Sequence, residues 1–380
     1  MHHSPKSSPS VRSLSPGWPF AMVVACAMAL VGCSHVDTDA PSEPSPSPSA
    51  STLPAEALQQ VLDDFAPQQL DLDVAGISVG VMRLSDGAMW TSSLGASAPA
   101  SQMASDTVVE VGSITKQVTA AMVLMAQEEG RLHLDDDVVD HLPQFDSFLS
   151  GITLQQLMTH SSGLVDYLYL PAFASDRGRP WTTTEMALLL DGEPRTFDAG
   201  EHVAYSNSNY LLLGMVLEVV YDASFADAFD TLVRPRLPLP STGMCDAHEV
   251  TTPRAQGHVD GEPVDSVDMS QPHAAGALCT TLTDLLAWTA AVARRDLHDV
   301  DVTTPSTLSS GTPLLYTAGL QLGRLRGQDS VMHHGVIRGF TASTTVVDGE
   351  WAMVAVTNEM NVHWAALEEA LARALLDDDE

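Results

Sequence analysis

Lysine is almost absent from this sequence, and basic residues as a whole are scarce. The chain has 17 Lys and Arg side chains against 49 Asp and Glu, which gives a formal net charge of −32 at pH 7. A surface this negative repels phosphate backbones, so we exclude nucleic acid as a partner. The chain also lacks any apolar run of about 18 residues or more, which excludes a polytopic membrane protein.

The composition that remains is typical of a globular protein. Hydrophobic residues make up 44% of the chain and charged residues 17%. A length of 380 residues can supply one large domain or two modest ones with a full core. Lys116 is the only lysine after residue 6, which makes its neighbourhood worth close inspection.

Residues 1–33 have the pattern of an export signal. The apolar run over residues 18–31 is short for a membrane span but suits the hydrophobic region of a signal peptide. It ends in Leu-Val-Gly-Cys at Cys33, which resembles the lipobox of bacterial lipoproteins. Ordinary signal cleavage after Ala27 is the alternative. We expect an exported protein of the bacterial cell envelope, with the membrane as a partner through lipidated Cys33.

Residues 34–55 are rich in Ser and Pro and cannot pack a core, so we predict a disordered tether.

The body over residues 56–376 contains two cysteines, Cys245 and Cys279. A disulfide between them would close a loop of about 35 residues and stabilise the fold by roughly 3–4 kcal/mol. Two free buried thiols are the alternative, and export favours the bridge.

The periodicity of apolar residues places strands at both ends of the body and helices between them. Strands are predicted at 75–83, 87–95, 317–325, 330–335, 340–347 and 351–357. Helices are predicted at 113–129, 153–160, 183–190, 208–221, 223–233, 283–294 and 363–376. We therefore predict an α/β fold, with an antiparallel sheet flanked by helices and an inserted, mainly helical subdomain.

Two serines are candidates for a nucleophile. Ser78 lies in a literal G-x-S-x-G, but that motif requires a turn from strand to helix, and here it falls inside an alternating strand. Ser113 opens a predicted helix and precedes Lys116 by three residues, so both side chains share one helix face. A serine needs such an adjacent base, and the helix N-terminus favours a developing oxyanion. Ser113 and Lys116 are the predicted catalytic pair.

Three separated segments resemble the signatures of the serine β-lactamase and penicillin-binding superfamily. They are Ser-Ile-Thr-Lys at 113–116, Tyr-Ser-Asn at 205–207 and His-His-Gly at 333–335. The likeness runs in the family's order over about residues 56–375. It is strongest to the branch containing class C β-lactamases, D-Ala-D-Ala carboxypeptidases and related esterases. The resemblance implies an acyl-enzyme on Ser113 and no cofactor.

The same resemblance implies a role for each matching residue. Lys116 takes or steers the Ser113 proton. Tyr205, with a phenol pKa lowered by its neighbours Lys116 and His333, protonates the leaving group and activates the deacylating water. Either Lys116 or Tyr205 can be the acylation base. Asn207 would hydrogen-bond a substrate amide or carbonyl.

The third segment is expected to supply the oxyanion hole. Gly335 and Val336 follow His333, and the backbone N–H groups of Val336 and Ser113 would bind the oxyanion. By the same resemblance His160, in Thr-His-Ser-Ser-Gly, belongs to a structural turn that ends a helix and is not catalytic. No His-Glu-x-x-His or paired Cys-x-x-Cys spacing is present, so we expect no metal.

His333 stands where the β-lactamases usually have a lysine. Its imidazole should be only partly charged near neutral pH, which weakens recognition of a penicillin carboxylate. The expected substrates are therefore small molecules or peptides, namely D-amino-acid peptides or small carboxylic esters. A β-lactamase is the alternative enzyme. A penicillin-recognising sensor with little turnover is the alternative of another class.

Overall fold

The computed structural model describes residues 53–245 and 254–377. The predicted signal peptide, Cys33 and most of the predicted tether lie outside the described residues. Within the described ranges, no helix combines the length and the apolar character that crossing a membrane requires.

The long strands stand near the two ends of the chain, and most of the short strands lie between them. They are β1 (Gly76–Arg83), β2 (Met89–Ala98), β3 (Ser101–Gln102), β4 (Val109–Glu110), β5 (Gly243–Met244), β6 (Gly257–Val259), β7 (Glu262–Val264), β8 (Leu278–Thr280), β9 (Tyr316–Thr317), β10 (Leu320–Leu325), β11 (Gln328–Ile337), β12 (Phe340–Val347) and β13 (Trp351–Thr357).

The helices lie mostly between the two groups of long strands. They are α1 (Ala55–Gln69), α2 (Thr115–Glu128), α3 (Val138–His141), α4 (Asp146–Leu149), α5 (Leu154–Met158), α6 (Pro171–Ala174), α7 (Thr183–Leu188), α8 (Asn207–Tyr221), α9 (Phe225–Leu232), α10 (His273–Gly276), α11 (Leu282–Arg294) and α12 (Ala365–Leu376). Short 3₁₀ turns cover Gly112–Ile114, Pro143–Phe145 and Tyr167–Tyr169.

The main sheet combines strands from both ends of the chain, in the order β3-β2-β1-β13-β12-β11-β10-β9. Every neighbouring pair in it is antiparallel. The first hairpin joins the last one through β1 and β13, where Ile77 faces Thr357. The predicted fold class, an antiparallel sheet flanked by helices, is confirmed.

Helices cover both faces of the sheet, so its central strands are buried along their whole length. On one face, α1 and α12 pack against β1 and β13, with Leu62, Ile77, Met353 and Leu371 in one apolar cluster. On the other face, α2 and α11 belong to the larger apolar cluster that also contains Val354. Burial on both faces explains why β13 is a nearly continuous apolar run.

The helical region between β4 and β5 is built around α8. Residues 208–217 of this helix are all buried, and they contact α2, α5 and α10. The helix ends at Asp222, which adopts the left-handed conformation that often terminates a helix. The predicted helix over 208–221 is therefore confirmed, although only residues 208–217 of it are buried. Its first turn lies next to α2.

Several elements differ from the predictions, and the longest of them are α1 and β11. Helix α1 was not predicted, although Leu58, Leu62 and Phe65 recur at helical spacing and are buried. Strand β11 extends over Gln328–Ile337, two residues beyond the predicted strand 330–335 at each end. The extra length brings Val336 to the end of the strand, beside the candidate site.

A small sheet of order β4-β8-β5 lies next to the start of α2, where the Leu278 N–H donates to Thr115. The structure joins Cys245, which follows β5, to Cys279 on β8, with their Cα atoms 4.9 Å apart. The bridge reinforces the pairing of Gly243 with Cys279.

Candidate active site

Ser113 lies in the 3₁₀ turn that leads into α2, and the turn is pressed against β11. Gly112 has a φ of +50°, and a Cβ atom on it would stand 2.6 Å from the carbonyl oxygen of Val336. Only glycine permits both this conformation and this approach. The Thr115 hydroxyl donates to the Gly112 carbonyl and accepts from the Leu278 N–H, at 2.7 and 3.1 Å. These contacts fix the backbone of Ser113.

Lys116 is fully buried one helical turn after Ser113. Its Nζ lies 3.1 Å from Ser113 Oγ, 2.8 Å from Asn207 Oδ1 and 2.7 Å from the carbonyl oxygen of Ala275. Burial lowers the pKa of Lys116 from its ordinary 10.5 to about 7, against the opposing field of Asp166. The neutral amine is therefore well populated near neutral pH, and its lone pair can accept the Ser113 proton.

Tyr205 meets Ser113 from the other side of the cleft. Its hydroxyl donates to Ser113 Oγ at 2.8 Å. Its ring centroid lies 4.8 Å from Lys116 Nζ and 6.3 Å from the His333 ring. The structure thus brings together Ser113, Lys116, Tyr205 and His333, as the resemblance implied.

The expected lowering of the Tyr205 pKa is wrong. Burial of the phenol end raises the pKa above its ordinary 10, and the hydrogen bond to Ser113 only partly opposes this effect. Because 44% of the Tyr205 surface is exposed, solvent weakens the rise without reversing it. Tyr205 therefore holds its proton at neutral pH, and Lys116 is the group that can act as a base.

Asn207 begins α8, and its amide is held by two protein partners. Its Oδ1 accepts from Lys116, while its Nδ2 and its backbone N–H donate to Asp166 Oδ2 at 2.7 and 3.0 Å. An amide nitrogen carries two hydrogens, so one Nδ2 hydrogen remains for a substrate. Asp166 also accepts from the Leu168 N–H, which caps the turn Tyr167–Tyr169.

Two residues of the site, Asp166 and Tyr316, carry no sequence signal that points to them. Asp166 is an aspartate that caps a short turn, a pattern found throughout proteins, and its contact with Asn207 spans 41 residues. Tyr316 is buried on β9, and its hydroxyl lies 3.0 Å from His333 Nε2. Only the pairing of β9 with β10 and of β10 with β11 brings it there.

His333 is a buried, neutral imidazole. Its Nδ1 lies 2.7 Å from the His334 carbonyl, which can only accept, so Nδ1 carries the proton and Nε2 accepts from Tyr316. Burial and the nearby Lys116 lower the pKa of His333 from 6.5 to about 3. The expectation of a partly charged His333 near neutral pH is therefore wrong.

The Val336 N–H is free of the sheet's own hydrogen bonds. Ile337 and Phe340 flank a two-residue turn and form a hydrogen-bonded pair, so the next pair, Val336 and Thr341, does not exchange bonds. The N–H of Val336 then points to the side of β10, whose pairing with β11 ends at Met332. This geometry leaves the N–H available beside the Ser113 turn.

Gly335 allows the close approach of strand and turn. A Cβ atom at this position would overlap the carbonyl oxygen of Val111, so any other residue would push β11 away from Ser113. Its contribution to the site is clearance rather than a hydrogen bond.

The structure gives Ser78 no catalytic surroundings. It is fully buried in the middle of β1, where its hydroxyl bonds to Ser93 Oγ at 2.7 Å and to the Ala104 carbonyl at 3.2 Å. Its strand pairs on both sides, with Ser93 and Val356 opposite it.

Among the described residues, no group of three or more His, Cys, Asp and Glu is arranged to hold a metal ion.

Comparison with known proteins agrees with the geometry. Residues 60–378 match the family model described as Beta-lactamase. The chain belongs to the beta-lactamase family. The resemblance noted in the sequence is thus confirmed, and it covers the sheet, the helical region and the Ser113 turn.

Curated relatives in the family include a D-aminopeptidase of Gluconobacter oxydans (strain 621H). It is 30% identical over 287 residues, which are 71% of this chain and 53% of that protein. Penicillin-binding protein 4* of Bacillus subtilis (strain 168) is 30% identical over 136 residues, or 34% of this chain and 28% of that protein. The chain spans about half the length, or less, of these relatives.

Solved structures of the family superpose over most of the chain. A D-stereospecific amidohydrolase from Streptomyces sp. gives a TM-score of 0.70 at 26% identity and covers 85% of this chain and 98% of that one. A class C β-lactamase gives a TM-score of 0.72 at 21% identity and covers 86% of this chain and 98% of that one. The second likeness shows the shared fold alone.

Proposed function

We propose that this protein is a serine hydrolase that cleaves amide bonds of D-amino-acid substrates through an acyl-enzyme on Ser113. The observation that carries the proposal is the buried Lys116 amine, 3.1 Å from Ser113 Oγ, with its pKa lowered to about 7. Such a group can remove a serine proton at neutral pH. The D-aminopeptidase and the D-stereospecific amidohydrolase among the similar proteins support the substrate class.

Acylation follows from the contacts of Ser113. As Oγ bonds to the substrate carbonyl carbon, its proton passes to neutral Lys116. The carbonyl oxygen becomes an oxyanion that accepts from the N–H groups of Ser113 and Val336. The C–N bond then breaks as the leaving nitrogen takes the Tyr205 proton, and the Lys116 proton restores the phenol. In deacylation, water attacks the acyl carbonyl carbon as one of its protons passes to Tyr205 and the Tyr205 proton passes to Lys116. The bond from the carbonyl carbon to Ser113 Oγ then breaks as Oγ takes the Lys116 proton, and the acid is released.

Neutral His333 bears on the choice of substrate. An imidazole with a pKa near 3 offers no positive charge to a substrate carboxylate at neutral pH. The carboxylate of a β-lactam therefore loses the attraction that a lysine at this position would give it. This favours amides and peptides of D-amino acids over β-lactams.

The proposed activity is tested with a D-alanine p-nitroanilide, its L-enantiomer, a p-nitrophenyl ester and nitrocefin. We expect many turnovers on the D-anilide and turnover of nitrocefin lower by roughly ten- to a hundredfold, since one lost charge-assisted contact costs about 1.5–3 kcal/mol. Product that stops at one equivalent per protein with every compound would show a trap or sensor. Faster turnover of nitrocefin than of the anilide would show a β-lactamase.

Asp166 offers a separate test of the arrangement. In Asp166→Asn the carboxylate that raises the Lys116 pKa and holds Asn207 is removed. We expect the acidic limb of the pH–rate profile to move to lower pH, because less stabilised ammonium loses its proton earlier. We also expect kcat/KM to fall roughly tenfold, since a lost bond to a charged group costs about 1.5–3 kcal/mol. An unchanged profile would contradict this role.

We further propose that the body is exported and anchored by lipidated Cys33 in the bacterial cell envelope. The lipobox-like end of the apolar run in the sequence supports this. Wild-type protein expressed in a bacterium should sediment with membranes, and Cys33→Ala should move to the soluble or precursor fraction. Equal partitioning of both would refute the anchor. Cys26→Ala is the matched control and should remain membrane-bound.

A further inference from the structure

His160 is tied to both chain neighbours of Tyr205. Its Nδ1 accepts from the backbone N–H of Ser206 at 3.3 Å, and its carbonyl oxygen accepts from the N–H of Ala204 at 3.0 Å. A further donor to Nδ1 is Asn209 Nδ2 at 3.0 Å. One buried residue, only 1% exposed, therefore holds the backbone on either side of Tyr205.

The imidazole also packs directly against the Tyr205 ring. The ring centroids of His160 and Tyr205 are 4.3 Å apart. On its other sides the imidazole lies 4.6 Å from Tyr316 and 5.2 Å from Tyr210. Tyr316 in turn bonds to His333, so His160 is the central ring among the aromatic groups of the site. His160 therefore covers one face of the Tyr205 ring and restricts its rotation away from Ser113 on that side.

The protonation of His160 is determined by its partners. Nδ1 accepts from two N–H groups, so the ring proton is on Nε2. That nitrogen is buried and has no hydrogen-bond partner in the described structure. Burial and the nearby Lys116 and His333 hold the His160 pKa well below 6.5, so the ring stays neutral. An unpaired buried N–H is destabilising. The two hydrogen bonds that Nδ1 accepts keep the ring proton on Nε2 in spite of this cost.

We propose that His160 is a positioning residue for catalysis, which keeps the Tyr205 hydroxyl on Ser113 Oγ. This goes beyond the structural turn implied by the sequence, and it rests on the proposed function of Tyr205. His160 contacts the residues around the reacting serine and does not itself touch Ser113. Its effect on the rate should therefore pass through Tyr205 and disappear when the Tyr205 hydroxyl is absent.

Two substitutions separate the acceptor of His160 from its ring. His160 has a φ of +57°, a conformation that asparagine tolerates better than most residues. His160→Asn retains an acceptor at the position of Nδ1 but loses the ring. His160→Phe retains the ring but loses the acceptor. We expect kcat on the D-alanine p-nitroanilide to fall roughly tenfold in His160→Asn and roughly a hundredfold in His160→Phe, with KM changed less than threefold.

The decisive measurement is a double-mutant cycle with Tyr205→Phe. In that background both His160 substitutions should lower kcat less than threefold, because the hydroxyl that they misplace is gone. Full additivity would overturn the proposal and leave His160 a structural residue. If His160→Phe does not fold, as judged by its thermal transition, the cycle with His160→Asn decides alone.

A control and a second probe separate this inference from the proposed function. His298 is another buried histidine with an unpartnered ring nitrogen, located after α11 beside Glu128 at the far end of α2. His298→Asn should leave kcat within twofold of wild type. The same cycle is run on the rate of fluorophosphonate labelling of Ser113, which does not depend on the true substrate. Coupled labelling rates without anilide turnover would retain the role of His160 and reject the substrate class.

Discussion

Ser113→Ala is expected to lower kcat/KM for the D-amino-acid anilide by roughly 10⁴-fold or more, because removing the nucleophile leaves only binding and the oxyanion hole. The fold should survive. The Ser113 hydroxyl contacts Lys116 and Tyr205, and it does not cap α2. The thermal transition of the variant should therefore stay within a few degrees of wild type. The protein should also lose all labelling by a fluorophosphonate.

Ser78→Ala is the matched control, because Ser78 lies in the other serine motif of the chain. Its hydroxyl bonds to Ser93 and to the Ala104 carbonyl inside the sheet. Its loss should cost about 1 kcal/mol of stability and leave kcat/KM within twofold of wild type. Peptide mapping of the fluorophosphonate adduct identifies the labelled serine. A label on Ser78, or full labelling of Ser113→Ala, would contradict the mechanism.

Local sequence patterns predict the parts of this fold that depend on near neighbours. Alternation over 75–83 predicts β1, and the three-residue spacing of Ser113 and Lys116 places both on one helix face. The segment containing Tyr205 could be assigned only through its likeness to a family. Helix α1 has apolar residues at a clear helical spacing, so it could have been predicted from the sequence alone.

Burial explains what the sequence could not predict about the site. His333 was expected to be partly charged because of its ordinary pKa, and the Tyr205 pKa was expected to be lowered by Lys116 and His333. Neither expectation took account of the loss of water on burial. Desolvation is the largest influence on Lys116, Tyr205 and His333, and in each case it favours the neutral form. Asp166 escaped notice for a related reason, since its contact with Asn207 exists only after the helical region has packed.

Lys116 is the one group of the cluster formed by Ser113, Lys116, Tyr205, His160 and His333 whose protonation changes near pH 7. His160 and His333 are neutral there because their pKa values lie below 6.5, and Tyr205 is neutral because its pKa lies above 10. Asp166 is the buried carboxylate whose field favours the charged lysine. The pH dependence of acylation should therefore follow Lys116.

The acid limb of kcat/KM is expected to have an apparent pKa near 7, the value to which burial lowers Lys116. The sign follows from the mechanism: the neutral amine is the base, so the rate rises as pH increases through the pKa and falls tenfold per unit below it. Lys116→Met, which keeps the volume but removes the amine, should reduce kcat/KM by roughly 10³-fold or more and abolish this limb.

Lys116→Arg distinguishes a base from a simple positive charge. A guanidinium retains the charge and the donors but does not lose its proton in proteins. If Lys116 supplies only electrostatic stabilisation, the arginine variant should keep much of the rate and show no limb near pH 7. If Lys116 is the base, the variant should be about as inactive as Lys116→Met at every pH. Substantial activity in Lys116→Arg would therefore transfer the role of base to Tyr205, despite its raised pKa.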